Sequence, residues 1–247
     1  MLFYNMLFSI IIPCRNESEI IIDTIEYLKK GLVDFDFEII IVNDYSNDDT
    51  FQKVKNFQKN DSCIKIFDNK EKGLGGAINL GILKSSGDYI AIYMADMSDH
   101  IDDLKKYFNI CLENKNIDAV FGSRFMKNSK IYNYPKNKLL FNRIFNNFVK
   151  ILYLSKYNDF TNAFKIYKRE TILELKPLVS ENFNIFLELP LKIIGRKYNY
   201  IITSINWSNR TKGKAKFKIK ELGSMYLFTL IYCFVEKILI NKKKKII

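Results

Sequence analysis

The sequence predicts an α/β protein built on a mostly parallel sheet covered by helices on both faces. Three observations carry that expectation. Short apolar, β-rich runs at 8–13 (FSIIIP), 38–42 (EIIIV), 64–67 (IKIF) and 89–94 (YIAIYM) lack strict alternation, as strands buried on both faces do. Between them lie stretches with apolar residues at helical spacing, and strands alternating with helices at this spacing make parallel sheets. Polar clusters also follow three of the runs: Arg15-Asn16-Glu17, Asn43-Asp44, and Asp96 to Asp99. Right-handed crossovers bring such strand ends to one edge of the sheet, where open α/β sheets bind ligands.

Taken in order, the first run is closed by Pro13, and a helix at 19–30 carries Ile20, Ile21, Ile25 and Leu28 at helical spacing. Asp49 and Thr50 open a second helix with Val54 and Phe57, and Gly73-Leu74-Gly75-Gly76 leads a third through Leu83. The 89–94 strand turns acidic at Asp96, Ser98 and Asp99, and a helix follows at 102–114. A strand at 119–121 ends in Gly122-Ser123-Arg124. The pattern at 136–154 is a long amphipathic helix with Arg143 and Lys150 on its polar side. Residues 159–167 (DFTNAFKIY) read as a strand, followed by a helix from near Arg169 stopped at Pro177, a helix at 183–194 and a strand at 200–207. Neither repeat nor linker interrupts this order, so residues 1–209 are expected to form one domain and 210–247 a tail.

Composition narrows the classes. At 247 residues, 48% hydrophobic and 15% aromatic, the chain is too apolar to be disordered. Lys and Arg outnumber Asp and Glu by 39 to 27, giving a formal charge of +12 that implies an anionic partner. The four cysteines, Cys14, Cys63, Cys111 and Cys233, are scattered and His100 is the sole histidine, which argues against zinc and for a reduced, cytoplasmic setting. The apolar lead before Phe8 lacks the basic flank and cleavage site of a signal peptide, so export is not expected.

The tail combines a cationic stretch at 210–220 (RTKGKAKFKIK), an apolar stretch at 225–235 (MYLFTLIYCFV), and Lys242 to Lys245. The apolar stretch is well short of the roughly 20 residues that span a bilayer. An interfacial helix held by basic flanks on an anionic membrane surface is one reading. A helix packed on the core or on a second subunit of a homodimer is the other.

Carboxylates at the end of a buried strand suit a hard divalent ion, Mg2+ or Mn2+, which in turn holds a diphosphate. Asp96 and Asp99 are such carboxylates, although they would equally cap the helix that follows. Two common nucleotide motifs are missing: no GxxxxGK[ST] occurs, and Gly73-x-Gly75 lacks a third glycine and follows the third strand instead of the first. These glycines serve a close backbone approach or a tight helix start.

Four segments in this order and spacing resemble the family 2 glycosyltransferases of GT-A fold: PCRNE at 13–17, VNDYSNDDT at 42–50, GLGGAINLGI at 73–82 and MADMSD at 94–99. The second half resembles the polyprenyl-phosphate glycosyltransferases, the dolichyl-phosphate mannose synthase-like group. That likeness rests on GSR at 122–124, on Asn142, Arg143 and Asn146, on DFTNAFKIYKRE at 159–170, and on the Arg210-to-Lys216 stretch. The resemblance implies a nucleotide-sugar pocket lined by Pro13, Asn16, Glu17, Asn43, Asp44, Gly73 and Gly75, with Asp96 as metal ligand and Asp99 beside it. Arg124, Arg143, Lys165 and Arg210 are implied for the phosphates, with Asp96, Arg124 and Asp159 as the catalytic set. Three departures stand out: Met94 replaces the first acid of the family's D-x-D, Asn43 stands where aspartate is usual, and Asn162, Ala163 and Lys165 alter a D-x-T-S-G-F-R block.

Sugar transfer develops positive charge at the anomeric carbon and negative charge on the leaving diphosphate, which a metal and cations stabilise. A lipid phosphate, largely anionic above about pH 6, attacks without a protein base. A sugar hydroxyl would need one, for which Asp159 and Asp99 are available. The expectation is therefore an inverting transferase, peripheral on the cytoplasmic face of a membrane, moving sugar to a polyprenyl phosphate. The alternatives are transfer to a surface glycan and an inactive nucleic-acid-binding module. No nucleic-acid partner is expected, because the aromatics fall at core spacing and no RNA-binding motif occurs.

Overall fold

The computed structural model describes residues 6–71, 73–209 and 219–240. Seven strands form one sheet in the order β3-β2-β1-β4-β7-β5-β8. They are β1 (Phe8–Cys14), β2 (Phe37–Asn43), β3 (Ile64–Asp68), β4 (Tyr89–Ile92), β5 (Ala119–Ser123), β7 (Lys165–Lys168) and β8 (Tyr200–Ser204), and all but β7 run parallel to their like neighbours. A separate parallel pair joins β6 (Ile131–Tyr132) to β9 (Trp207–Ser208).

The isoleucine runs explain the layers. Side chains alternate across a strand, so Ile10, Ile12, Ile39 and Ile41 enter one core, while Ile11, Ile40 and Val42 enter the other. The first core is closed by α1 (Ile21–Gly31), α2 (Thr50–Gln58) and α4 (Ile101–Glu113), where Phe8 stacks on Phe108 at 3.8 Å. The second is closed by α3 (Leu74–Lys84), α5 (Lys136–Tyr153), α6 (Arg169–Glu174) and α7 (Ile185–Gly195). The last helix, α8 (Ile219–Leu239), packs along α7 and buries Leu230 and Cys233 in that second core.

Four sequence expectations need correction. Residues 159–164 are not strand: only Lys165–Lys168 pairs, and it inserts antiparallel between β4 and β5. The 200–207 run divides into β8 and β9, and the β6 partner of β9 carries no pattern visible at two residues. The helix after the acidic loop is capped by His100, whose Nδ1 accepts from the Asp102 amide, and not by Asp96 or Asp99. Finally, α5 is less simply amphipathic than expected: Val149 and Tyr153 enter the core and Lys150 is exposed, but Asn146 is fully buried and Arg143 half-buried, while Phe141, Ile144 and Ile151 face outward. The cationic stretches at 210–218 and 242–245, with Arg210, lie outside the described residues.

Two buried ionic groups tie elements together. Glu38, at the start of β2, accepts from the Ser9 and Ser86 hydroxyls, the Ser86 amide and Lys65, at 2.6 to 2.8 Å. Burial pushes its carboxyl up, but these bonds outweigh that and hold it down at about 2. On the far side, Glu188 and Lys192 of α7 pair at 3.0 Å with both side chains buried, and Glu236 of α8 joins Lys192 at 3.4 Å and Arg196 at 2.6 Å.

A carboxyl whose folded pKa is depressed contributes stability above its unfolded value, and that contribution is lost as pH falls through the folded one. Acid unfolding followed by circular dichroism should therefore show a stability loss between about pH 4.5 and 2 that Glu38→Gln removes, at the cost of lower stability at neutral pH.

Candidate active site at the strand ends

Because β2, β1 and β4 are parallel neighbours, their carboxyl ends open on one edge. Just past each end a non-glycine residue adopts a left-handed conformation: Asn16 (φ 53°), Tyr45 (φ 55°) and Met97 (φ 54°). Such residues cost roughly 1–2 kcal/mol each against the ordinary regions, so the surrounding bonds must hold them. Asn16 is clamped from both sides, its amide donating to Ser46 Oγ and its Oδ1 accepting from the Asn47 amide. The Asn43 amide group donates to Asp68, and its Oδ1 accepts from Ser46. Asp44 is buried and accepts from Asn69 Nδ2 and the Gly73 amide, both at 2.9 Å, so the second strand end fixes the start of α3. Pro13 is buried in β1 opposite Val42, and Glu17 donates its amide to Thr50.

The glycines answer to protein backbone. A Cβ at Gly75 would stand 1.9 Å from the Ser180 carbonyl oxygen, and one at Gly73 (φ 118°) 2.5 Å from that of Glu181. The segment 179–184 thus lies directly under the start of α3, and Gly75 donates its amide to Glu181.

At the third strand end, Asp96 is half-buried and accepts from the Ser98 amide, while Met94 turns into the core. Asp99 is buried; desolvation, then the Asp96 charge, pushes its carboxyl up to about 8 against the pull of Arg124. Its backbone bridges to Trp207, and Tyr93 donates to its carbonyl. No group of three or more His, Cys, Asp or Glu side chains that could hold a metal ion occurs among the described residues. The oxygen donors here fit Mg2+ or Mn2+ in chemical type: such ions are held by one or two carboxylates completed by waters and substrate phosphate. Asp96 is the residue so placed, with Asp99 behind it.

The cationic side of the site is Arg124, at the end of β5. Its Nε and Nη2 donate to the two oxygens of Asp159 at 2.8 and 2.7 Å, and its own amide donates to Asp159 at 2.9 Å. Both side chains are buried, and burial, which would lower the guanidinium's pKa, is outweighed by the Asp159 charge, which holds it above its ordinary value. Phe125, Tyr134 and Trp207 ring the guanidinium at 5.4, 5.7 and 5.9 Å, and Arg143 stacks on Phe125 at 4.2 Å. Asn142 and Asn146 of α5 both donate to Thr161, tying the 158–164 loop to that helix.

Lys165 is placed differently from a substrate clamp. Its buried ammonium donates to the carbonyls of Phe160, Asn162 and Phe186, and burial pulls it down to about 7 despite the Asp159 charge. It shapes the loop that carries Asp159. The residues that sequence reasoning missed are Tyr134 and Trp207; the second is the only tryptophan, which was the one available signal.

A doubly covered sheet with carboxylates at one strand end and a buried arginine at another is the arrangement that the resemblance to glycosyltransferases of GT-A fold implies. The comparisons name the family. The glycosyl transferase family 2 profile matches residues 9–175, and the chain belongs to that family. The dolichol-phosphate mannosyltransferase of Pyrococcus furiosus is 26% identical over 218 residues, 87% of this chain. The dolichyl-phosphate beta-glucosyltransferase of Dictyostelium discoideum is 29% identical over 83% of it. The chain spans 60% and 67% of those relatives' own lengths. Among solved structures, glucosyl-3-phosphoglycerate synthase of Mycobacterium tuberculosis, in complex with Mn2+, UDP and glucosyl-3-phosphoglycerate, superposes with a TM-score of 0.69 at 17% identity. That match covers 93% of this chain and 80% of the synthase, and it establishes the shared fold.

Asp159→Asn removes the partner of a buried cation, which costs about 3–5 kcal/mol in comparable pairs. Urea unfolding should show a loss of that order.

Proposed function

We propose that the protein moves a hexose-like sugar, with inversion, from a nucleoside diphosphate sugar to a polyprenyl phosphate. Residues 1–209 form the catalytic unit in this reading, and 210–247 bring it to the cytoplasmic face of a membrane. The observation that carries it is the linkage of two half-sites: Trp207 bridges to Asp99 of the carboxylate loop while its ring flanks Arg124. One end suits a metal-bound diphosphate and the other a second phosphate. The names of the two curated relatives, both dolichol-type phosphate transferases, support the acceptor class. The Mycobacterium synthase, solved with UDP and Mn2+, supports a nucleotide donor and a divalent ion.

Asn16, Glu17, Asn43 and Asp44 define the edge where base and ribose would lie, and Asp96 would hold the ion. The ion would supply charge neutralisation for the diphosphate as it departs. In the transfer, a phosphate oxygen of the acceptor forms the new bond to the anomeric carbon. The old bond from that carbon to the diphosphate breaks, and the leaving group takes the electron pair. The lipid phosphate is already ionised, so no side chain need take a proton. Arg124 is held by Asp159 through Nε and Nη2, and in this reading the cation so fixed would stabilise the charge that develops. Arg143 stands beside it across Phe125.

Calorimetric titration with UDP-, GDP- and dTDP-sugars, with and without Mn2+, tests the donor half. One nucleotide should bind in a metal-dependent way, and Asp96→Ala should weaken it by about a hundredfold or more. Transfer of labelled sugar into an organic-soluble product with added polyprenyl phosphate tests the acceptor half. Binding of no nucleotide would overturn the enzymatic reading, and label passing only to a glycan would overturn the lipid acceptor.

A further inference from the structure

The outward side of α5 carries a row of apolar residues although the helix already packs Phe145, Val149 and Tyr153 into the second core, so it is apolar on more than the face the core needs. Asn142 and Asn146 turn toward the body and hold Thr161, while Leu140, Phe141, Ile144, Phe148 and Ile151 stand in solvent, Ile151 at 72% exposure. Across the surface, α8 repeats the arrangement with Leu227, Phe228, Ile231, Val235 and Ile238 outward. The helices adjoin along a seam: Phe145 meets Tyr226 at 5.9 Å, Tyr153 meets Phe234 at 6.1 Å, and Lys237 donates to the Tyr153 carbonyl. Residues further along α5 meet residues further along α8, so the two run side by side in one direction. At 18 and 21 residues they are about 27 and 32 Å long. The outward arcs meet at the seam and make one contiguous apolar face of the kind that marks an interaction site.

We propose that α5 and α8 form a single lipid-docking platform that seats the protein on an anionic membrane surface, with the Arg124 and Arg143 side of the site at its edge. The inference deepens the lipid-phosphate reading, on which it rests for the acceptor, by assigning the surface that meets the bilayer. Neither helix crosses it: no described helix is long and apolar enough to span a membrane. Charge selects the occupant. The 18 residues of α5 contain no Asp or Glu, and Lys136, Lys138 and Lys150 are exposed on it. In sequence, α8 lies between RTKGKAKFK and Lys242 to Lys245. Apolar residues rimmed by cations suit acyl chains beneath anionic headgroups, whereas a second copy of the same face would bring like charges together. The platform also joins the site, because Arg143 of α5 stacks on the ring that Arg124 shares. A phosphate standing at headgroup level would meet these cations while its isoprenoid chain stayed in the bilayer.

Co-sedimentation of the full chain with phosphatidylcholine vesicles, with and without phosphatidylglycerol, tests the assignment. The protein should pellet with the anionic vesicles and far less with the neutral ones. The double variant Phe141→Glu/Ile144→Glu should lose about tenfold or more in vesicle affinity, as should Ile231→Glu/Val235→Glu on α8. Val33→Glu, an equally exposed apolar residue away from both helices, should bind as the parent does. All variants should keep the parent's melting temperature and nucleotide affinity, which separates loss of docking from loss of fold. Parent-like vesicle binding by the α5 variant would overturn the platform. So would a dimer that the variants dissociate while no form binds vesicles, which would assign the face to a second copy. Vesicle binding without transfer to polyprenyl phosphate would leave the platform standing and sink the acceptor reading instead.

Discussion

The site depends on one buried ion pair, Arg124 with Asp159. Taking two charges out of water costs several kcal/mol per ion, and only close geometry with further hydrogen bonds repays it. Here the guanidinium is met by both carboxylate oxygens, the Arg124 amide adds a third bond, and three aromatic rings enclose it. The pair joins the end of β5 to a loop that returns into the sheet as β7, so an irregular segment becomes part of the core. Around it the loop's remaining polar groups are satisfied locally. Tyr157 donates to the carbonyls of Gly122 and Asp159, Asn162 donates to Gly122, and Lys165 takes three more carbonyls. Removing the carboxylate would leave a buried cation and an unfixed loop at once. That dependence is why Lys165, a cation in sequence terms available for phosphate, is spent on holding the frame.

This also marks where the sequence was legible. Parallel strands buried on both faces announce themselves through runs such as IIIP and EIIIV, and the polar residues after them identified the strand-end edge that the structure assembles. The antiparallel insertion of β7 was not legible. DFTNAF carries the apolar content of a strand, but its phenylalanines are buried by a loop whose carbonyls are taken by Lys165 and Tyr157, not by a ladder. The left-handed turns were hidden too, since Asn16, Tyr45 and Met97 carry no glycine to signal them. Trp207 was missed because its partner, Arg124, lies far away in sequence, and Tyr134 because the irregular segment between it and Arg124 has no period that would place the two together. The second apolar side of α5 was missed for a different reason. Helical periodicity shows that faces differ, not how many of them are apolar, and here Thr161 draws Asn142 and Asn146 inward beside Val149 and Tyr153 while further apolar residues stand outward.

The outer helix α8 is tied to the segment beneath α3 in a way that no local pattern predicts. Its polar inner residue Thr229 accepts from Asn184 at 2.9 Å, and Tyr226 donates to the Phe183 carbonyl. These contacts hold the 179–184 segment from one side. From another, Glu188 accepts from the Val179 and Ser180 amides while its charge is balanced by Lys192, which Glu236 of α8 also reaches. The segment so fixed supplies the carbonyls against which Gly73 and Gly75 pack, and Gly73 in turn donates to Asp44. A continuous path of hydrogen bonds and close packing therefore runs from the outer helix to the edge where the donor would lie.

That path has a consequence for how surface and site relate. Interiors packed at crystal-like density do not deform smoothly; they shift between discrete arrangements or stay put. The clearance at Gly75 is so small that a side chain as slight as a methyl group would overlap the Ser180 oxygen, so the 179–184 segment cannot move toward α3. Movement away from it would break the Gly75 amide bond to Glu181 and strain the Glu188 pair, both of which are anchored by α7 and α8. The helix proposed to offer its outer face to a membrane is thus the same one whose inner face fixes the floor beneath α3. On that proposal, a rigid connection of this kind would keep the distance from the bilayer to the strand ends constant. Constancy of that distance is what the proposed transfer would require, with one substrate arriving from water and the other staying in the membrane.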